Sequence, residues 1–152
     1  MSKVMATTRS RLSDAKKRCV ELGLRMTVLR ETVLELILSA GKPVKAYDLL
    51  GQIDQTKGAS APPTIYRTLD FLLEHGFIHK LQSINAYVCC EHNHNPHQGQ
   101  FLICDRCNLA QELDDPILVS RISQAASDHG FQAQRETVEV HGLCKDCLEK
   151  GV

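Results

Sequence analysis

The 152-residue chain has no apolar run long enough to cross a bilayer, which takes about 20 consecutive apolar residues. Its opening stretch, Met1 to Arg9, carries no apolar segment either, so neither a membrane span nor a signal peptide is predicted and the expected location is cytoplasmic. Enzyme signatures are missing as well. There is no His-Glu-x-x-His, no glycine-rich phosphate loop and no nucleophile motif, so the sequence predicts a protein that is not an enzyme and takes no small organic substrate. No internal repeat is present, and the only biased tract is a short His/Asn-rich segment near residue 94. Net charge is zero, but the cancellation conceals two unlike halves. Residues 1–85 hold 13 Lys/Arg against 8 Asp/Glu, a net of +5, and residues 86–152 hold 5 against 10, a net of −5. Six of the seven cysteines and five of the seven histidines fall in the acidic half. A basic half followed by an acidic, ligand-rich half predicts two domains with two tasks, the first a candidate for contact with nucleic acid.

Cysteine spacing supplies the strongest single signal. Cys104-Asp105-Arg106-Cys107 is answered, after a gap of 36 residues, by Cys144-Lys145-Asp146-Cys147. Two Cys-x-x-Cys pairs furnish four thiolates, the donor set of a closed tetrahedral structural zinc site. Disulfides or a redox pair are the competing readings, and the second pair together with the missing leader weighs against both. The long gap predicts an ion that ties together the two ends of a small domain.

Along the first half, Leu12, Ala15, Cys19 and Leu22 recur at helical spacing over about Arg11 to Leu22, with Gly23 as the stop. Cys19 reads as a small core residue. Lys16 and Lys17 lie on the exposed side, where solvation and phosphate contact are both open readings. A second helix is predicted from Thr27 as N-cap to Ala40, ended by Gly41 and Pro43, and a third over about Ala46 to Ile53. The polar run from Gln55 to Ser60 reads as a loop. Pro62-Pro63-Thr64-Ile65-Tyr66-Arg67-Thr68-Leu69-Asp70-Phe71-Leu72-Leu73 opens with prolines tolerated in a first turn, and it buries one stripe, Ile65, Leu69, Leu72 and Leu73. Thr64, Tyr66 and Arg67 then cluster at its exposed N-terminal end, the part of a recognition helix that enters the major groove. Two short strand patterns follow, Phe77 to Leu81 and Ala86 to Cys90, joined through Ser83-Ile84-Asn85. Helices followed by such a hairpin predict a winged helix-turn-helix domain over residues 1–90.

Residues 91–100, Glu91-His92-Asn93-His94-Asn95-Pro96-His97-Gln98-Gly99-Gln100, carry no large apolar side chain and read as a hinge bearing metal ligands. Residues 101–152 predict a small α+β domain of about three strands and one helix. Its parts are a strand into Cys104, another over Leu109 to Leu113, a helix capped by Asp115 and running to about Asp128, and a period-two strand over Phe131 to His141. The whole is therefore expected to be α+β.

These residues resemble the ferric uptake regulator family of metal-dependent repressors over about residues 10–150. The likeness is carried by residues 62–72 quoted above, by Gly-Phe-Ile-His-Lys at 76–80, by Phe-Leu-Ile-Cys-Asp-Arg-Cys at 101–107 and by Val-Glu-Val-His-Gly-Leu-Cys at 138–144. Ala46-Tyr47-Asp48-Leu49-Leu50, Tyr87-Val88-Cys89-Cys90 and Val140-His141-Gly142-Leu143-Cys144 are similar to its zinc uptake regulator branch. The resemblance implies a structural zinc at Cys104, Cys107, Cys144 and Cys147, and DNA contact through Tyr66 and Arg67. It also implies a regulatory zinc at His79, Cys90, His97 and Glu112, hence at least two zinc ions per protomer. Two imidazoles, a thiolate and a carboxylate suit zinc as a donor set. Cys90 is preferred to Cys89 through the resemblance alone, since neighbours on a strand face opposite ways and residue physics leaves the two even. Where iron-type relatives commonly carry His-His-Asp-His, this chain has Gly99-Gln100-Phe101, which favours zinc. His92, His94, His129 and His141 are candidates for a weaker third site, with a solvated or structural role as the alternative. The implied function is that of a homodimeric, zinc-responsive repressor of zinc-uptake genes acting on an A·T-rich palindromic double-stranded DNA operator. The rivals are an iron or peroxide sensor of the same family and a zinc-stabilised protein adaptor.

Overall fold

The computed structural model describes the backbone at residues 2–57, 61–91 and 99–151 and the side chains at 7–54, 61–91 and 99–151. The chain is α+β and divides into two compact units, Met1–Pro96 and His97–Val152.

The first unit runs α1 (Ser2–Glu21), α2 (Val28–Ala40), α3 (Ala46–Lys57), α4 (Pro62–Glu74), β1 (Ile78–Leu81) and β2 (Ala86–Cys89). Local chemistry sets the boundaries of α2. The Thr27 side chain accepts a hydrogen bond from the Arg30 N–H at 3.3 Å, and Gly41 exits in the left-handed region at φ 64°, where a side chain would be strained. Its apolar positions Val33, Leu34 and Ile37 meet Ala15 and Cys19 of α1, Leu49 and Ile53 of α3 and Ile65, Leu69 and Leu72 of α4 in one core that also takes in Phe77, Ile78 and Tyr87. Residues of this size stabilise by about 1.5–3 kcal/mol each when fully buried, so this core is what holds the unit. The β1–β2 hairpin pairs antiparallel, with Ile78 opposite Cys89 and Leu81 opposite Ala86. Asn85 supplies the left-handed turn residue at φ 48°. Val44, between α2 and α3, exchanges main-chain hydrogen bonds with Tyr87 and ties the hairpin to the helices.

The second unit runs β3 (Gln100–Cys104), β4 (Ala110–Leu113), α5 (Pro116–Asp128), β5 (Val138–Gly142) and α6 (Lys145–Glu149), with sheet order β4-β3-β5. β3 pairs antiparallel with β4 and parallel with β5. The Asp115 carboxylate accepts from the N–H groups of Ile117 and Leu118 and so starts α5.

Four elements differ from the sequence reading. α1 begins at Ser2 rather than Arg11, because residues 2–10 contain no glycine or proline and extending an existing helix costs little. α3 continues through Gln55, Thr56 and Lys57, which the sequence assigns to a loop, and polar helix formers need no apolar periodicity to do so. The strand expected over 131–141 is instead Val138–Gly142, since β3 offers it five residues of edge from Gln100 to Cys104. α6 was not expected. It is a single short turn of helix with Cys144 at its N-cap, too brief to leave a periodic pattern.

Candidate metal centres and nucleic-acid interface

Parallel pairing explains how cysteines so distant in sequence meet. β3 and β5 run side by side with Cys104 opposite Gly142, so both strands deliver their following loops to the same end of the sheet. The first pair turns there through Asn108 at φ 58°, whose N–H returns to the Cys104 carbonyl at 2.9 Å. The second pair turns into α6. All four sulfurs, of Cys104, Cys107, Cys144 and Cys147, lie within 4.8 Å of one another, and Cys107 and Cys144 stand 3.7 Å apart. Tetrahedral zinc with Zn–S bonds of about 2.3 Å sets neighbouring sulfurs about 3.8 Å apart, whereas a disulfide needs about 2.05 Å. The spacing fits the ion and not a disulfide.

The electrostatics of the cluster agree. The main-chain N–H groups of Cys107 and Cys144, with a lesser share from that of Arg106, hold the Cys104 thiol down at about 6, and the Cys144 N–H lies 3.4 Å from its sulfur. Burial, then hydrogen bonding with Cys144, Cys107 and Cys104, pushes Cys147 up to about 12. Cys104 is thus held toward the thiolate, and a cation beside Cys107 and Cys147 would favour their ionisation too. The two residues inside the first pair brace the cluster. Arg106 donates to the carbonyls of Cys147 at 3.1 Å and Gly151 at 2.5 Å, and the Asp105 carboxylate lies 2.8 Å from Nδ1 of His141.

The second set of expected ligands is spread over the chain. His79 lies on β1 and Cys90 directly follows β2. Both are buried, and a ring nitrogen of His79 and the Cys90 sulfur come within 4.8 Å of each other. Register separates the faces of the two adjacent cysteines. His79 is opposite Val88, and Cys90 lies two residues beyond Val88, so His79, Val88 and Cys90 share one face of the hairpin. Cys89 is opposite Ile78, faces the other way and packs against the helical core, where burial pushes its thiol up to about 12. Glu112 is buried on β4 of the second unit. His97 lies outside the described residues, as do His92 and His94. His129 and His141 each have a hydrogen bond, to the Ala125 carbonyl and to Asp105, both at 2.8 Å. Among the described residues neither joins a cluster of three or more candidate ligands.

On α4, Ile65, Thr68, Leu69 and Leu72 are buried while Thr64, Tyr66 and Arg67 are exposed at the N-terminal end. Ala61 offers no side-chain cap and the first turn holds no acidic residue, so the positive end of the helix dipole is uncompensated there. The Arg30 guanidinium sits 3.6 Å over the Phe71 ring and helps to fix α4 against α2. Lys17 is exposed, and Lys16 forms an ion pair with Glu31 of α2 at 2.5 Å. A phosphate contact by Lys16 therefore has to compete with that partner.

Four helices and a two-stranded hairpin, followed by a unit in which four thiols converge as a candidate zinc site, define a winged-helix protein with a small α+β second unit. The ferric uptake regulator family model matches residues 21–141, and the chain belongs to that family. It is 38% identical over 144 residues to the zinc uptake regulation protein of Escherichia coli K12, covering 94% of this chain and 84% of that protein. Among solved structures it is similar to a zinc uptake regulator complexed with zinc and DNA, with a TM-score of 0.91 and 38% identity over 95% of this chain and 97% of that one. It is also similar to holo XcZur, with a TM-score of 0.86 and 50% identity over 92% of this chain and 98% of that one.

Proposed function

We propose that this chain is a zinc-responsive transcriptional repressor that binds double-stranded operator DNA and shuts off zinc-uptake genes in the cytoplasm. The observation that carries the reading is the wing register, which turns a buried imidazole and a buried thiol, His79 and Cys90, to one face of the hairpin that follows the recognition helix. That pair is borderline-soft, as zinc prefers, and the family's other donors here are His97 and Glu112. The names of the two relatives, one a zinc uptake regulation protein and one complexed with zinc and DNA, support the choice of metal and of partner.

In this reading the residues divide the work. Cys104, Cys107, Cys144 and Cys147 hold a structural zinc, and His79, Cys90, His97 and Glu112 hold a regulatory one, which gives at least two ions per protomer. When bound, zinc supplies a Lewis-acid centre with a fixed tetrahedral demand on its donors. The ligands shift the population of DNA-competent protein only by their difference in zinc affinity between competent and incompetent states. Tyr66, Arg67 and Thr64 meet base edges and sugar-phosphate at the groove, with Lys16 and Lys17 toward phosphates. The chain acts as a homodimer on a palindrome. Support for this comes from α5, which buries no side chain, and from Ile117, Val140 and Leu148 of the second unit, 80%, 51% and 62% exposed. Its role is that of a regulator, not an enzyme.

The test is a titration of zinc, iron(II) and manganese(II) into protein stripped of its weaker metal, read by fluorescence anisotropy on an A·T-rich palindromic duplex. Zinc is expected to induce binding at the lowest free concentration. Induction by iron(II) or manganese(II) at lower free concentrations than zinc would assign the chain to another metal.

A further inference from the structure

The antiparallel ladder of the wing ends at the pair Ile78 and Cys89, so Cys90 lies one residue past the last matched strand pair. Its N–H still reaches back, to the Phe77 carbonyl at 3.1 Å. Its carbonyl is taken by a side chain from far upstream. Nη2 of Arg11, on α1, donates to it at 2.5 Å. A bond from a guanidinium is charge-assisted and roughly twice as strong as one between neutral groups. The same helix also reaches the other partner of Cys90, because the Arg18 guanidinium lies 5.5 Å from the centre of the Phe77 ring. Arg11 borders a narrow cleft with Ala15, Leu34, Leu38, Phe77 and Cys89, so its stem is enclosed by the core face that also receives Cys89. The strand end that carries Cys90 is therefore held by α1 through both of its peptide groups, directly on one side and by way of Phe77 on the other.

We propose that Arg11 is a positioning residue for the regulatory zinc site: by fixing the Cys90 main chain it sets where the Cys90 sulfur stands relative to His79, and it ties that ligand to α1. The inference rests on the reading of Cys90 as a regulatory ligand. It adds that the site's affinity is set from a helix that supplies no ligand. α1 also carries Lys16 and Lys17, so Arg11 joins the Cys90 main chain to the helix that bears that basic pair. Partners of this kind orient ligands through hydrogen bonds, and their loss typically weakens metal binding by about 10–100-fold.

The experiment uses the full chain with Arg11→Met, which keeps an apolar stem and removes the donor, and Arg11→Lys, which keeps a charged donor but not the planar fork. Both are compared with Cys90→Ser. Zinc affinities of the tighter and the weaker site are measured by competition with a chromophoric chelator. The thiolate-to-cobalt charge-transfer band of the weaker site is followed after cobalt(II) substitution, and thermal unfolding by circular dichroism. Arg11→Met is expected to weaken the weaker site about tenfold or more and to diminish its charge-transfer band. The tighter site and the unfolding transition should stay as in the native protein, with Arg11→Lys recovering part of the loss. Weaker-site affinity in Arg11→Met within twofold of native, while Cys90→Ser loses that site, overturns the role of Arg11 and leaves the reading of Cys90 standing. Loss of the tighter site or of the native transition in both Arg11 variants makes the arginine a general support of the fold and overturns the proposal too. If Cys90→Ser itself retains the weaker site, the ligand reading falls and the proposal falls with it.

Discussion

Arg67 projects from the first turns of α4 beside Tyr66 and Thr64, on the side opposite the buried Ile65 and Leu69. A bidentate contact from such a residue to a base edge discriminates by about 1–3 kcal/mol. Arg67→Ala is expected to lose that much operator affinity and to relax preference at one position of each half-site, as measured on a panel of single-base variants of the duplex. A uniform loss across the panel would make Arg67 a phosphate contact instead. This residue was legible because a four-residue stripe, Ile65, Leu69, Leu72 and Leu73, fixes which way the helix faces. The four cysteines of the second unit were legible for a different reason, since few arrangements other than one ion explain two Cys-x-x-Cys pairs. Cys90 and Arg11 were not. Choosing Cys90 over Cys89 needs the pairing of His79 with Val88, and a one-residue slip reverses it. Arg11 acts on a main-chain carbonyl 79 residues away, and a carbonyl leaves no mark in a sequence.

At the scale of elements, the second unit has little to hold itself with. Phe101, Ile103, Cys104 and Cys147 are its buried hydrophobic residues among those described, and α5 buries none. A structural zinc held by thiolates supplies about 10–16 kcal/mol of apparent binding free energy at neutral pH, which a unit with so few buried apolar side chains can use as a staple. Cys104→Ser should therefore abolish the cooperative unfolding of the second unit while the first keeps its helical core, as checked by amide hydrogen exchange resolved to peptides. Native protection over residues 100–148 in that variant would remove the zinc staple from the account. The elements themselves were legible where a cap or a stripe marks them, as with α2 and α5. They were misread at the start of α1, at α3, at α6 and over 131–137. There the outcome depends on helix extension by polar residues, on a turn organised by Cys144 at its N-cap, and on the five-residue edge offered by β3.

For the molecule as a whole, the opposed charges of its halves match the proposed division of labour, a basic unit toward DNA and an acidic, ligand-rich unit toward metal. Two kinds of zinc site in one chain let stability and signal be separated. In the function proposed above, the four-thiolate cluster maintains the fold whatever the zinc supply, and the set containing His79 and Cys90 responds to it. This separation is the central claim, and adjacent cysteines test it most directly. Zinc-dependent affinity for the palindromic duplex is to be measured for Cys90→Ser and Cys89→Ser, with the mass of each protein determined in parallel. Cys90→Ser exchanges a soft anionic donor for a poor hydroxyl ligand and is expected to bind the duplex weakly at every zinc concentration while remaining folded and dimeric. Cys89→Ser, whose side chain faces the core, is expected to keep the native zinc response. A zinc response lost in Cys89→Ser and kept in Cys90→Ser, or kept in both, would contradict the account.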